Sequence, residues 1–94
     1  MKSLALVLAS IAMIGMVGVA NAQEDKAKAA GCLNCHATDT KKIGPSFKDI
    51  AAKYKGNASA EADLVAKLKS GKGHPAIKLS DSELTGVVKW VLSQ

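Results

Sequence analysis

The chain has 94 residues, 48% of them hydrophobic, with 13 lysines, no arginine, 8 acidic residues and a net charge of +5. That length allows one domain at most and excludes a multidomain enzyme, a nucleotide-binding sheet domain and a membrane transporter. Phe47, Tyr54 and Trp90 are its only aromatics. A domain this small rarely holds itself together by side-chain burial alone and takes a disulfide, a metal or a cofactor as a staple.

Residues 1–22 carry the marks of a secretory signal. Lys2 supplies a positive start, Leu4 to Val19 is a nearly unbroken apolar run, and Ala20-Asn21-Ala22 is a small-residue cleavage site. The run is 16 residues long, short of the ~20 that span a bilayer as a helix. The alternative is an uncleaved N-terminal anchor. Cleavage after Ala22 leaves one domain, residues 23–94. The loss of Lys2 leaves 12 lysines against 8 acidic residues, a net charge of +4, and Met1, Met13 and Met16 leave with the signal.

The rest of the chain reads as helical throughout. Lys26-Ala27-Lys28-Ala29-Ala30 is a run of good helix formers ahead of Cys35. Residues 37–45 read as a loop closed by Gly44-Pro45. Ser46 caps a helix whose apolar face is Phe47, Ile50, Ala51 and Tyr54, and Gly56-Asn57 ends it. Ser59 begins the next helix, with Glu61 and Asp63 in its first turns, Lys67 and Lys69 in its last, and Gly71 as its stop. Residues 71–79 form a second loop. Ser80 and Glu83 make a capping box for a final helix running to about Ser93, with Leu84, Val87, Val88, Val91 and Leu92 on one side. No strand-like alternation and no internal repeat is present. The fold class is all-α, about four short helices joined by two irregular loops.

Cys32-Leu33-Asn34-Cys35-His36 is the strong chemical signal. A Cys-x-x-Cys-His reads as covalent haem attachment. Two thiols three positions apart on a helical turn can each form a thioether with a porphyrin vinyl group, and the adjacent imidazole then reaches the iron from the same side. The cofactor predicted is one haem c, bound through Cys32 and Cys35 with His36 on the iron. Two alternatives stay open. A thiol redox pair suits an oxidising compartment, although the thioredoxin-like version needs a βαβ setting that this chain lacks. A zinc site would need Cys32, Cys35, His36 and His74, and adjacent Cys35 and His36 fit such a site poorly.

Over residues 25–94 the chain resembles the small class I c-type cytochromes of the bacterial periplasm. The residues that carry the likeness are Cys32 to His36 after an N-terminal helix, Gly44-Pro45, Ala52-Lys53-Tyr54 and the closing Lys89-Trp90-Val91-Leu92. The resemblance implies a cytochrome c fold wrapped around one covalent haem, with the N- and C-terminal helices crossing. It also implies that the Pro45 carbonyl accepts the proximal imidazole N–H of His36, a bond that would orient the ring and raise its basicity. The plainer role for Pro45 is that of a loop-closing turn residue. Trp90 is read as packing at the end of the last helix. Tyr54 is read as packing near the haem, with its hydroxyl free to bond a loop carbonyl.

The chain departs from that family pattern on the far side of the iron. The resemblance places a Met in the loop before the last helix, yet no Met follows residue 16 and the loop at 71–79 is short. His74, in Gly71-Lys72-Gly73-His74-Pro75, lies near where that Met would fall and is the candidate sixth ligand. The alternative is a solvated loop histidine that leaves the sixth position open. Lys78 is a weaker candidate, because an ammonium must lose its proton to bind a metal.

These features predict a periplasmic one-electron carrier, monomeric, not an enzyme, and free of the membrane once its signal is cleaved. Two imidazole ligands would lower its reduction potential relative to His/Met relatives. The competing reading is a five-coordinate haem protein that binds or senses a small ligand such as CO or NO. An accessory subunit of one larger enzyme is a third. Lys41 and Lys42 in the first loop and Lys72 and Lys78 in the second would form a basic rim that steers the protein to an acidic patch on a redox partner. An even spread of lysines over the surface is the alternative. With no arginine and no aromatic platform, nucleic-acid binding is not expected.

Overall fold

A computed structural model of the chain describes residues 22–94. Apart from Ala22, the predicted signal segment lies outside the described residues. Four α-helices and one 3-10 turn make up the fold: α1 over residues 22–29, the turn at Cys32–Asn34, α2 at Phe47–Lys53, α3 at Ala60–Ser70 and α4 at Asp81–Leu92. Among the described residues there is no strand, only an isolated antiparallel bridge between His36 and Lys41. The all-α expectation holds. No helix among the described residues is long and apolar enough to cross a membrane.

Local chemistry sets most of the boundaries. Just past the end of α1, Gly31 turns the chain with a left-handed φ of 87° that only glycine adopts without strain. Ser46 caps α2 as predicted: its buried hydroxyl accepts from Asp49 N at 3.1 Å. Gly71 stops α3 at φ 74°. The capping box of α4 is complete, with Glu83 N donating to Ser80 Oγ and Ser80 N donating to Glu83 Oε1, each at 3.3 Å.

Ser59 begins α3, as expected, but without a side-chain cap. Its φ and ψ of −96° and 2° are not the extended values that aim a capping hydroxyl at the first turn. The Ser59 Oγ instead lies 2.9 Å from Asn57 Oδ1 and 3.1 Å from Asp63 Oδ2.

The side-chain core is small, as the composition requires. Ala27, Phe47, Ala60, Leu84, Val87 and Val88 are its buried apolar members. Helix α4 packs against α2 and α3. It also meets α1, as the resemblance implies for the terminal helices. A Cβ added at Gly86 would come within 2.8 Å of the Gln23 amide atoms, so the missing side chain lets α1 lie close. Trp90 on α4 meets Phe47 edge-on, ring centroids 5.4 Å apart at 71°, which is the packing role expected of it. The Tyr54 ring stands under Lys53 Nζ at 5.5 Å, and its hydroxyl forms no hydrogen bond among the described residues.

Candidate haem site

The attachment motif sits on a tight turn. Gly31 starts it, and Cys35 N and His36 N both donate to the Cys32 carbonyl, at 3.2 and 3.0 Å. This winding sets both cysteines and His36 within a single turn. Both cysteines are half-buried free thiols. Burial pushes the Cys32 thiol above its ordinary value, against the smaller opposing pull of a backbone hydrogen bond.

The loop over 37–45 closes back on the motif. Gly44 N donates to the Cys35 carbonyl at 2.7 Å, Phe47 N to the Ala37 carbonyl at 2.9 Å, and Lys48 N to the Thr38 carbonyl at 3.1 Å. Lys42 Nζ donates to the Leu33 carbonyl at 2.9 Å, and Lys48 pairs with Asp39 at 2.8 Å. The closed loop puts the Pro45 carbonyl 2.6 Å from His36 Nδ1. A carbonyl can only accept, so Nδ1 carries the hydrogen, and in the neutral ring the lone pair lies on Nε2.

Two neighbours crowd the His36 ring. Phe47 stacks on it at a centroid distance of 5.4 Å and 24°. Gly44 backs it with bare backbone: an added Cβ would run into Cε1 and lie 2.9 Å from Nδ1. Neither contact was legible in the sequence, where Gly44 read only as a loop closer and Phe47 only as part of a helix face.

His74 comes from the other loop. Its ring lies nearly parallel to that of His36, with centroids 6.0 Å apart and 7° between the planes. Its Nδ1 lies 2.8 Å from the Pro75 carbonyl, which leaves its Nε2 free as well. The loop is tied at its base, with Gly71 N donating to Lys67 O at 3.2 Å and Ile77 N to Leu68 O at 2.9 Å. The structure thus brings His36 together with Pro45 and His74, and sets Cys32 and Cys35 in the turn that carries His36. Among the described residues no three His, Cys, Asp or Glu side chains gather as a metal-binding group, so the four-ligand zinc alternative is not formed. Lys41, Lys42, Lys72 and Lys78 are all exposed.

The residues present fit a c-type haem. A glycine backs one imidazole where any side chain would collide, both histidines engage Nδ1 with a carbonyl and leave Nε2 unbonded, and the thiols lie in the same turn as His36. Together the helical fold and this site define a small c-type haem protein. The cytochrome c family model matches residues 24–94. The chain is 46% identical over 74 residues to cytochrome c-551 of Pseudomonas aeruginosa, covering 71% of each protein. It is 34% identical over 90 residues to cytochrome c-552 of Hydrogenobacter thermophilus, covering 88% of this chain and 92% of that protein. In structure it resembles the class 1 cytochrome MtoD of Sideroxydans lithotrophicus, with a TM-score of 0.71, 33% identity, and coverage of 78% of this chain and 92% of that one. Cytochrome c552 of Nitrosomonas europaea is also similar, with a TM-score of 0.66, 33% identity, and coverage of 74% and 96%.

The chain belongs to the cytochrome c family, as a class I monohaem member of the c-551/c-552 kind. Its haem c is bound covalently through the motif Cys32, Cys35 and His36, and it is an electron carrier, not an enzyme.

Proposed function

We propose that this cytochrome is a periplasmic one-electron carrier in which His36 and His74 ligate the haem iron from opposite sides, with a reduction potential below that of His/Met relatives. The observation that carries the reading is the near-parallel pair of imidazoles at 6.0 Å, in a chain whose methionines all precede residue 17. Metal–imidazole bonds of about 2.0–2.1 Å on both sides of one ion separate the two ring centroids by about 6 Å. Both Nε2 atoms carry the lone pairs that such bonds need.

Haem c, when bound, supplies a one-electron iron couple. The chain's own part is to hold ligands that need not move. Cys32 and Cys35 anchor the macrocycle next to His36, and the Pro45 carbonyl fixes the His36 tautomer and raises its basicity. Gly44 and Phe47 both crowd that ring. Neutral imidazoles on both sides serve either oxidation state, so little rearranges on electron transfer. Replacing a thioether ligand by a second imidazole lowers the potential.

The address follows from residues 1–22, read as a signal cleaved after Ala22 to leave residues 23–94. The partner is a redox protein with an acidic patch, approached by the exposed lysines at 41, 72 and 78, which make no ion pair among the described residues. Lys42 is engaged with the Leu33 carbonyl and contributes less. Association should slow as salt rises.

The test is the absorption spectrum of the ferrous holoprotein before and after CO. A low-spin spectrum unmoved by CO supports the bis-imidazole carrier. A high-spin spectrum that shifts at once with CO rejects His74 ligation and favours the ligand-binding or sensing alternative.

A further inference from the structure

Each of the two histidines gives its Nδ1 hydrogen to the carbonyl of a proline: His36 to Pro45 at 2.6 Å, and His74 to Pro75 at 2.8 Å. Such a bond fixes more than the tautomer. An imidazole turns about its Cβ–Cγ bond, and turning carries Nδ1–H out of line with a fixed acceptor, which weakens the bond steeply. The acceptor therefore sets the plane of the ring.

The two rings are not held equally. His36 has its carbonyl, the close bare backbone of Gly44 and the stacked ring of Phe47. Among the described residues the only aromatic ring near that of His74 is the near-parallel ring of His36, and its only hydrogen-bond acceptor is the Pro75 carbonyl. The 7° between the planes thus rests, on the distal side, on one acceptor.

We propose that Pro75 is the positioning residue of the distal ligand, its carbonyl holding the His74 ring parallel to the His36 ring across the haem. The inference rests on the reading of His74 as the sixth ligand. Proline suits the role for two reasons. Its φ is fixed near −65°, at about ±15°, which narrows where its carbonyl can point. It also keeps the preceding residue, here His74, out of the α region. Below it the loop is anchored by the left-handed Gly71 and Gly73, at φ 74° and 75°, and above it by the amide of Ile77 on Leu68.

Parallel imidazoles leave an electronic signature. The filled π orbital of each ring, perpendicular to its plane, mixes with one of two metal dπ orbitals. Parallel rings act on the same orbital and split the pair, whereas crossed rings act on both and leave the pair nearly degenerate. Electron paramagnetic resonance of the ferric protein reads that splitting directly.

The experiment compares frozen ferric holoprotein with its Pro75→Gly variant. The wild type should give a rhombic low-spin spectrum with its g features resolved. Pro75→Gly should keep a low-spin absorption spectrum, while its g features shift and broaden as the ring orientation spreads. A wild-type spectrum with a single, strongly anisotropic low-field feature would mean crossed rings, overturning this inference while leaving His74 ligation intact. A high-spin wild type would overturn the ligation reading and this inference with it. Unchanged g features in a low-spin Pro75→Gly protein would deny Pro75 the role. If Pro75→Gly loses the low-spin state, Pro75→Ala, which frees the backbone less, is read by the same rule.

Discussion

The imidazole of His36 and the ring of Phe47 stack with centroids 5.4 Å apart, and Trp90 closes the row edge-on from α4 at the same separation. Phe47 thus links the haem-bearing turn to the side-chain core, of which it is the only aromatic member that is fully buried. Phe47→Ala removes the middle of this row and leaves both neighbours facing a cavity. The expected loss is about 3–4 kcal/mol in urea unfolding of the holoprotein, within the range for buried Phe truncations. A loss below about 1 kcal/mol would mean that contact with the haem, not side-chain packing, holds α2 and α4 together.

His74 carries the functional prediction. His74→Ala should open the sixth position, so that the ferrous protein takes up CO where the wild type does not. His74→Met should keep six-coordination and raise the potential on the order of a hundred millivolts, a fraction of the ~0.8 V that axial ligands span. Potentiometric titration of the three proteins checks both. A His74→Met protein with an unchanged potential would count against His74 as a ligand in the wild type.

The parts of this site that were legible in the sequence are those encoded within a few residues. Cys32 to His36 declared itself by spacing, and the caps at Ser46 and Ser80 by residue type next to an apolar face. The Pro45 acceptor was expected only through family resemblance, since nothing in a Gly-Pro pair says which donor will reach it. Gly44 against His36 and Phe47 against the same ring were not foreseen, because each contact depends on how the loop over 37–45 folds back, with Gly44 N bonded to Cys35 O and Phe47 N to Ala37 O. Ser59 shows the converse. Its residue type suits a cap, but Asn57 and Asp63 supply competing acceptors, and its backbone is not extended.

Gly44 tests the closeness of that loop. Its φ is not left-handed, so its need for glycine comes from space alone: a Cβ would collide with the His36 ring. Gly44→Ala should push the ring or the loop aside, at a cost of about 1–3 kcal/mol typical of overpacking. It should also shift the haem absorption bands, because the displaced atom belongs to a ligand. A variant as stable as the wild type, with unshifted bands, would show that the loop gives way freely.

Glu83 sets an acid limit that has nothing to do with the haem. Its carboxylate accepts from Ser80 Oγ at 2.8 Å and from Ser80 N at 3.3 Å. The hydroxyl bond first, and then the amide bond, hold its carboxyl below the ordinary value of 4.5, with a smaller contribution from Lys26. Because the folded value is the lower one, the unfolded chain takes up the proton first as pH falls. The stabilisation is therefore complete above the unfolded value and is lost as pH drops through the folded one. Glu83→Gln keeps an acceptor at the third position of α4 but carries no titrating charge. The difference in unfolding free energy between wild type and Glu83→Gln should stay level from pH 7 to about 5.5 and close progressively below that. Taking the difference cancels the other carboxylates, which titrate in both proteins. A gap that stays constant down to about pH 3 would show that the box works through its hydrogen bonds alone, with no contribution from the charge.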